Sequence, residues 1–383
     1  MNKYLYILGL VGAALFSACS NSDDLSIGDS SAVDEAKESA LIFEASQDSE
    51  VPITLGADQS RGLTRAPMDE FTTSDLAVFC LATGTQTGAN IPTAIRKNNW
   101  STDKKSELGG LLVRMNNVSA SVSSGDVTYT ENYYYPMGNW MKYNFYAYYP
   151  KQTNEDNVLF SENQVAVKFS KEDTPGVLDG IHDIVWGRAY PDNPDSEHAT
   201  GHDPYCADYF RFNTTTGEGP QFRFEHKLVQ FRFSVKATQE AYNAGATVTD
   251  MYISNAIKQL TLIVANKNDS TKNGKVTPAT TKTGPLKIKK LADDTNCFDD
   301  PLTLQTNEQE VGYLMLPAPP NLSSPESAGF KYHISGTVKF SDNSEQEISI
   351  NMNPKTQIPG TDPAEYGFES GKIYNILITI DKN

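Results

Sequence analysis

The chain has 383 residues and a formal net charge of −16; 38% of it is hydrophobic and 10% aromatic, with 17 Phe and 19 Tyr. That length allows two or three domains, each with its own core, and the aromatic content excludes wholesale disorder. The acidity excludes a nucleic-acid partner, which needs a basic patch to displace phosphate counterions, and 5 His and 4 Cys leave little material for metal or nucleophile chemistry.

At the N-terminus, Lys3 supplies a short basic start and residues 4–14 an apolar stretch too short to span a bilayer. Leu15-Phe16-Ser17-Ala18-Cys19 then forms a small-residue cleavage site ending in cysteine. Residues 1–18 read as a lipoprotein signal peptide and Cys19 as the lipidated first residue of the mature chain, although Phe16 departs from the Leu usual at that place. Between Asn21 and Glu50 nine carboxylates face Lys37 alone. Such a segment repels itself, so 19–50 is predicted to be an acidic, disordered tether. In 51–65, Val51, Ile53 and Leu55 alternate with Pro52, Thr54 and Gly56, as in a strand with one apolar face.

Beyond this point helical periodicity is nearly absent, and short alternating or aromatic-rich runs bounded by Gly, Pro, Asn and Asp recur to residue 380. Strands are predicted at 75–81, 111–115, 127–135, 143–149, 165–169 and 184–186, then from 221–235 through 259–264, 312–316, 330–340 and 345–352 to 372–380. Residues 236–246 are the one fair helix candidate. The fold class is all-β: two antiparallel sandwich domains in tandem, 66–219 and 220–383, divided at the end of a long Pro-, Gly- and Asp-rich loop over 190–220. Within 221–235, Phe222, Phe224, His226 and Leu228 share one phase while Val229, Phe231, Phe233 and Val235 take the other, which predicts a bulge or bend near Val229-Gln230. His226 then sits on an apolar phase as a core histidine. The Thr- and Lys-rich segment 266–284 reads as a mobile hairpin tip.

Catalytic constellations are missing. His198, His202 and Cys206 are four apart, but Gly201 and Pro204 interrupt the helix that would align them as metal ligands. Asp192-Asn193-Pro194-Asp195 lacks the register of a calcium loop, and Asp293-Asp294 and Asp299-Asp300 read as solubilising turn residues. Neither a nucleophile elbow nor a phosphate loop is present, so no enzyme, cofactor or metal site is predicted. Of the cysteines left after Cys19, Cys80 reads as a core residue, and Cys80, Cys206 and Cys297 allow at most one disulfide. In Phe145-Tyr146-Ala147-Tyr148-Tyr149, alternation directs Phe145 and Tyr149 to a core and exposes Tyr146 and Tyr148, which are the candidate glycan-stacking rings.

Several segments, taken in order, resemble the fimbrillin-like family of Bacteroidetes. They are the Cys19 signal, Gly62-Leu63-Thr64-Arg65-Ala66, Trp140 with Tyr143 to Pro150, Asp183-Ile184-Val185-Trp186, Phe224-Glu225-His226-Lys227-Leu228 and Gly371-Lys372-Ile373-Tyr374. The resemblance implies two transthyretin-like sandwiches per subunit and export as a surface-exposed lipoprotein of the outer membrane. It further implies removal of the N-terminal strand, with Val51, Ile53 and Leu55, by an Arg-specific protease at Arg65-Ala66; Arg61-Gly62 is a second such site. The groove left behind is filled by a strand of another fimbrial subunit, so the expected partners are other subunits, the lipid anchor of the precursor, and a host or bacterial surface ligand. Tyr374, Ile376, Ile378 and Ile380 read as the last core strand, and without the extension usual in stalk subunits the expectation is a tip or accessory subunit serving adhesion. The rival reading is a monomeric glycan-binding surface lipoprotein that uses Tyr146 and Tyr148.

Overall fold

The computed structural model describes residues 43–47, 73–83, 113–123, 126–129, 142–161, 164–172, 177–190, 221–266, 268–325, 327–354, 357–361 and 363–382. In chain order the first strands are β1 (Phe43–Gln47), β2 (Thr73–Thr83), β3 (Val113–Ser123), β4 (Asp126–Tyr129), β5 (Lys142–Tyr149), β6 (Val158–Ser161), β7 (Gln164–Ser170) and β8 (Val185–Tyr190). Past residue 220 come β9 (Gln221–His226), β10 (Leu228–Ala237), the helix α1 (Gln239–Asn243), β11 (Thr247–Ile257), β12 (Gln259–Asn266), β13 (Val276–Pro278) and β14 (Thr283–Lys287). The last are β15 (Leu302–Thr303), β16 (Gln309–Pro317), β17 (His333–Lys339), β18 (Glu345–Asn351) and β19 (Ile373–Ile380). The described chain is all-β, as predicted, and α1 is its one α-helix, inside the segment expected to be helical. Thr238 caps it by accepting the Ala241 N–H at 3.3 Å.

Two β-sandwiches result. In the first, a closed sheet in the order β1-β4-β3-β2-β5-β8-β9 packs on a four-stranded sheet, β13-β12-β7-β6. Its core joins Phe79 of β2, Tyr146 and Tyr148 of β5, Phe169 of β7, Leu262 of β12 and Trp186 of β8. Leu76 to Leu81 is apolar without interruption because β2 is buried on both faces, which removes the polar half of the alternation. In the second sandwich, β16-β10-β19 faces β14-β11-β17-β18, with β15 on β11. Phe231 and Phe233 of β10 anchor that core, each contributing about 1.5–3 kcal/mol by burial. Here β17 keeps its period of two, with Ile334, Gly336 and Val338 buried between partly exposed neighbours.

The strand through residues 221–237 belongs to both sandwiches. It breaks at Lys227, two residues before the predicted bend, where the Lys227 N–H turns to the Ile184 carbonyl at 2.7 Å. Up to His226 it pairs with β8; from Leu228 it pairs with β16, and β19 joins it from Gln230. The change of partners sets the break, and the side chains follow it: Leu228 enters the first core, whereas Val229, Phe231, Phe233 and Val235 enter the second. The chain returns to the first sandwich at β12, which pairs antiparallel with β7 from Gln259 to Asn266.

One expectation needs correction here. The acidic segment read as disordered contains β1, a five-residue strand. Its sequence, Phe-Glu-Ala-Ser-Gln, is a weak strand former by itself, and the two strand edges beside it order it from outside.

Candidate assembly groove at the N-terminal strand

Strand β1 is the piece that closes the first sheet. It pairs antiparallel with β4, Phe43 opposite Val127 and Glu44 opposite Asp126. On its other side it runs parallel to β9, from Glu44 opposite Gln221 to Gln47 opposite Phe224. Among the described residues β4 and β9 share no other partner between them, so β1 completes the ring. Lifting it out exposes one edge on each, with backbone groups worth about 0.5–1.5 kcal/mol per hydrogen bond.

The walls of that slot are apolar. Phe222 and Phe224 of β9 are 0% and 4% exposed, and their rings stack with centroids 5.7 Å apart. Ala189 and Gly187 of β8 stand opposite them, small residues that leave room for the two rings. Val127 of β4 is also buried. Arg61 and Arg65 fall between β1 and β2 in the chain, so a cut at either separates β1 covalently from everything it pairs with. Cys19, Val51, Ile53, Leu55, Arg65 and Ala66 lie outside the described residues, as do His198, His202, Cys206 and the 192–195 carboxylates.

The glycan-stacking expectation for Tyr146 and Tyr148 is overturned, because both rings point inward, at 2% and 0% exposure. Tyr146 lies against Trp186, ring centroids 6.5 Å apart, with the Arg188 guanidinium over its face. Tyr148 stacks on Phe79, donates its hydroxyl to the Asn117 side-chain oxygen at 2.6 Å and accepts the Gln152 N–H. Burial pushes its phenol well above the usual tyrosine range. Phe145 is fully buried as well, so β5 is covered on both faces and alternation could not tell inside from outside.

The joint between the sandwiches holds polar residues that the sequence did not single out as a group. His226, mostly buried but not fully in the core, pairs through Nδ1 with the Asp183 carboxylate. Next to it, the Lys227 ammonium pairs with Glu225 and sits 4.9 Å over the Trp186 ring. The Trp186 indole N–H donates to the Val264 carbonyl at 2.9 Å, tying β8 to β12. The predicted hairpin of 266–284 is present as β12–β13, and its tip is pinned: Gly274, at φ +70°, lies flat on Trp186.

Among the described residues no three His, Cys, Asp or Glu side chains converge as a metal site, and no helix is long and apolar enough to cross a membrane. Cys80 is buried in the core, and the Cys297 thiol donates to the Val311 carbonyl at 2.7 Å. Burial pushes the Cys297 thiol up to about 12, which keeps it protonated and unreactive at neutral pH. The carboxylates read as solubilising have structural partners: Asp293 accepts from Thr295, and Asp294 from the Tyr313 hydroxyl.

No family model matches the chain, and no curated protein does. Among solved structures, the chain is similar to Bacteroides proteins described as cell adhesion or fimbrial proteins. One is a candidate cell adhesion protein from Bacteroides uniformis, 15% identical, covering 90% of this chain and 94% of that one at a TM-score of 0.40. A second, from Bacteroides ovatus, is also a candidate cell adhesion protein, 14% identical, covering 89% and 92% at 0.41. A third is a fimbrial protein from Bacteroides ovatus, 11% identical, covering 90% of this chain and 50% of that one at 0.33.

Proposed function

We propose that the protein is a fimbrial subunit serving adhesion, exported as an outer-membrane lipoprotein on Cys19 and assembled by strand exchange. In this reading β1, with Val51, Ile53 and Leu55 on the same released piece, is a built-in plug. An Arg-specific protease cuts at Arg65-Ala66, the plug leaves, and a strand from another subunit takes its place between β4 and β9. The incoming strand restores the edge hydrogen bonds and covers the apolar walls at Phe222, Phe224 and Val127.

The observation that carries the reading is the position of β1: it is the closing strand of a ring sheet and lies upstream of both arginines. Before cleavage the edges stay capped, which keeps the precursor from assembling on the way out. A tip or accessory role is favoured by β19, because Tyr374, Ile378 and Ile380 are buried in the second core and so cannot be given to a neighbour. The test is N-terminal sequencing of the surface form, from cells with and without an Arg-specific protease. A start at Ala66, lost in an Arg65→Ala chain, is expected; a mature form that keeps residues 43–47 in every cell contradicts the reading.

A further inference from the structure

The outer face of sheet β16-β10-β19 carries a buried cation without a counter-charge. Along β10 the odd-numbered side chains from Val229 to Val235 enter the second core, so Gln230, Arg232 and Ser234 stand on the opposite face. On one side of them, Met315 and Tyr313 of β16 lie opposite Gln230 and Arg232 and pack in the first core, which covers that part of the face. On the other side, Asn375 of β19 lies beside Arg232 and Leu377 beside Ser234, and both are exposed. The face therefore passes from covered to open at Arg232.

At that boundary Arg232 is 8% and Gln230 4% exposed. Among the described residues, Arg232 Nε and Gln230 Nε2 find no hydrogen-bond partner. The carboxylates of the joint are held elsewhere: Glu225 by Lys227, Asp183 by His226, and Asp294 by the Tyr313 hydroxyl at 2.5 Å. Glu310 stands one row further out, opposite Ser234, and is exposed. A guanidinium taken out of water cannot shed its proton, so without an anion its burial is costly. Its N–H groups and the neighbouring amide N–H are donors two residues apart on one strand face, a pair suited to the two oxygens of a carboxylate.

We propose that Arg232 and Gln230 form the carboxylate subsite of a site for an acidic sugar, whose ring lies outward over Ser234, Asn375 and Leu377. The hydroxyl of Ser234 and the amide of Asn375 match ring hydroxyls, and Leu377, 47% exposed, offers the apolar surface that a ring face covers. A lone carboxylate would satisfy the cation but leave this ledge unused. The site gives the adhesion reading a ligand class and rests on that reading for its role, while its binding is separate from the β1 slot.

The test is calorimetric titration of the full mature chain with D-glucuronate, with acetate and glucose as controls at constant ionic strength. Saturable binding of glucuronate is expected, weaker binding of acetate, and none of glucose. Arg232→Met should fold at least as stably as the parent, because the unpaired charge is gone, and should weaken glucuronate binding at least about tenfold. Glu310→Gln, at an exposed position, should tighten it by removing a like charge from the ledge. Acetate binding as tightly as glucuronate, or a glutamate-containing peptide binding more tightly, would overturn the sugar assignment. No binding of any carboxylate would overturn the site itself, as would a Glu310→Gln chain that loses stability and binds no better, since Glu310 would then be the partner of Arg232. None of these readouts depends on cleavage at Arg65, so failure here and failure of strand exchange are told apart.

Discussion

Two residues at the joints between elements show most clearly what single side chains contribute. At Gly274 an added Cβ would come within 2.7 Å of the Trp186 ring and 2.8 Å of the Lys227 ammonium, at a backbone φ of +70° that other residues avoid. Gly274→Ala should therefore lower stability by roughly 1–3 kcal/mol, read from urea unfolding, and reduce the protection of β12–β13 against hydrogen exchange. Lys258, between β11 and β12, has a buried ammonium that finds no hydrogen-bond partner among the described residues. Burial, followed by the nearby Lys171 charge, depresses it to about 8. Its folded value lies below the unfolded one near 10.5, so the unfolded chain binds more protons between those values, and this group makes stability rise with pH across that window. Lys258→Met should melt higher than the parent at pH 7, and the gap should narrow as pH rises past about 8. A gap constant from pH 7 to 9.5 would contradict this account of the lysine.

At the scale of elements, the sequence was legible wherever the two faces of a strand differ in polarity. The alternation of β17 and the aromatic phase switch of the 221–237 strand both read directly from the residues, the latter within two positions of its true break at Lys227. Strand β5 misled because Phe145, Tyr146 and Tyr148 are all buried, and a strand covered on both sides carries no period to read. Strand β1 was hidden for the opposite reason: its own residues hardly call for a strand, and the free edges of β4 and β9, distant in sequence, supply the order. Of the candidate groove, the flanking arginines and the Phe222–Phe224 pair were visible in the sequence. The slot itself was not, because it exists only once residues 43, 127 and 222 are brought together.

At the scale of the molecule, the two sandwiches are fastened to each other through shared strands. Tyr313 and Met315 of β16 and Leu228 of β10 belong to sheet β16-β10-β19 yet pack in the first core, while β12 and β13 are bracketed in the chain by strands of the second sandwich. Unfolding should therefore be one transition. Tryptophan fluorescence and circular dichroism are expected to coincide in urea, and Met315→Ala, costing about 2–5 kcal/mol, should shift both together. Two separated transitions would show that the halves fold apart. The central claim, that β1 is a removable plug in a ring sheet, is tested most directly by hydrogen exchange before and after cleavage at Arg65. The account predicts that the β1 fragment dissociates and that amides of β4 around Val127 and of β9 from Gln221 to His226 lose protection, while β2 and β5 keep theirs. A fragment that departs without any change at β4 and β9, or one that stays bound after the cut through the whole exchange, would contradict it.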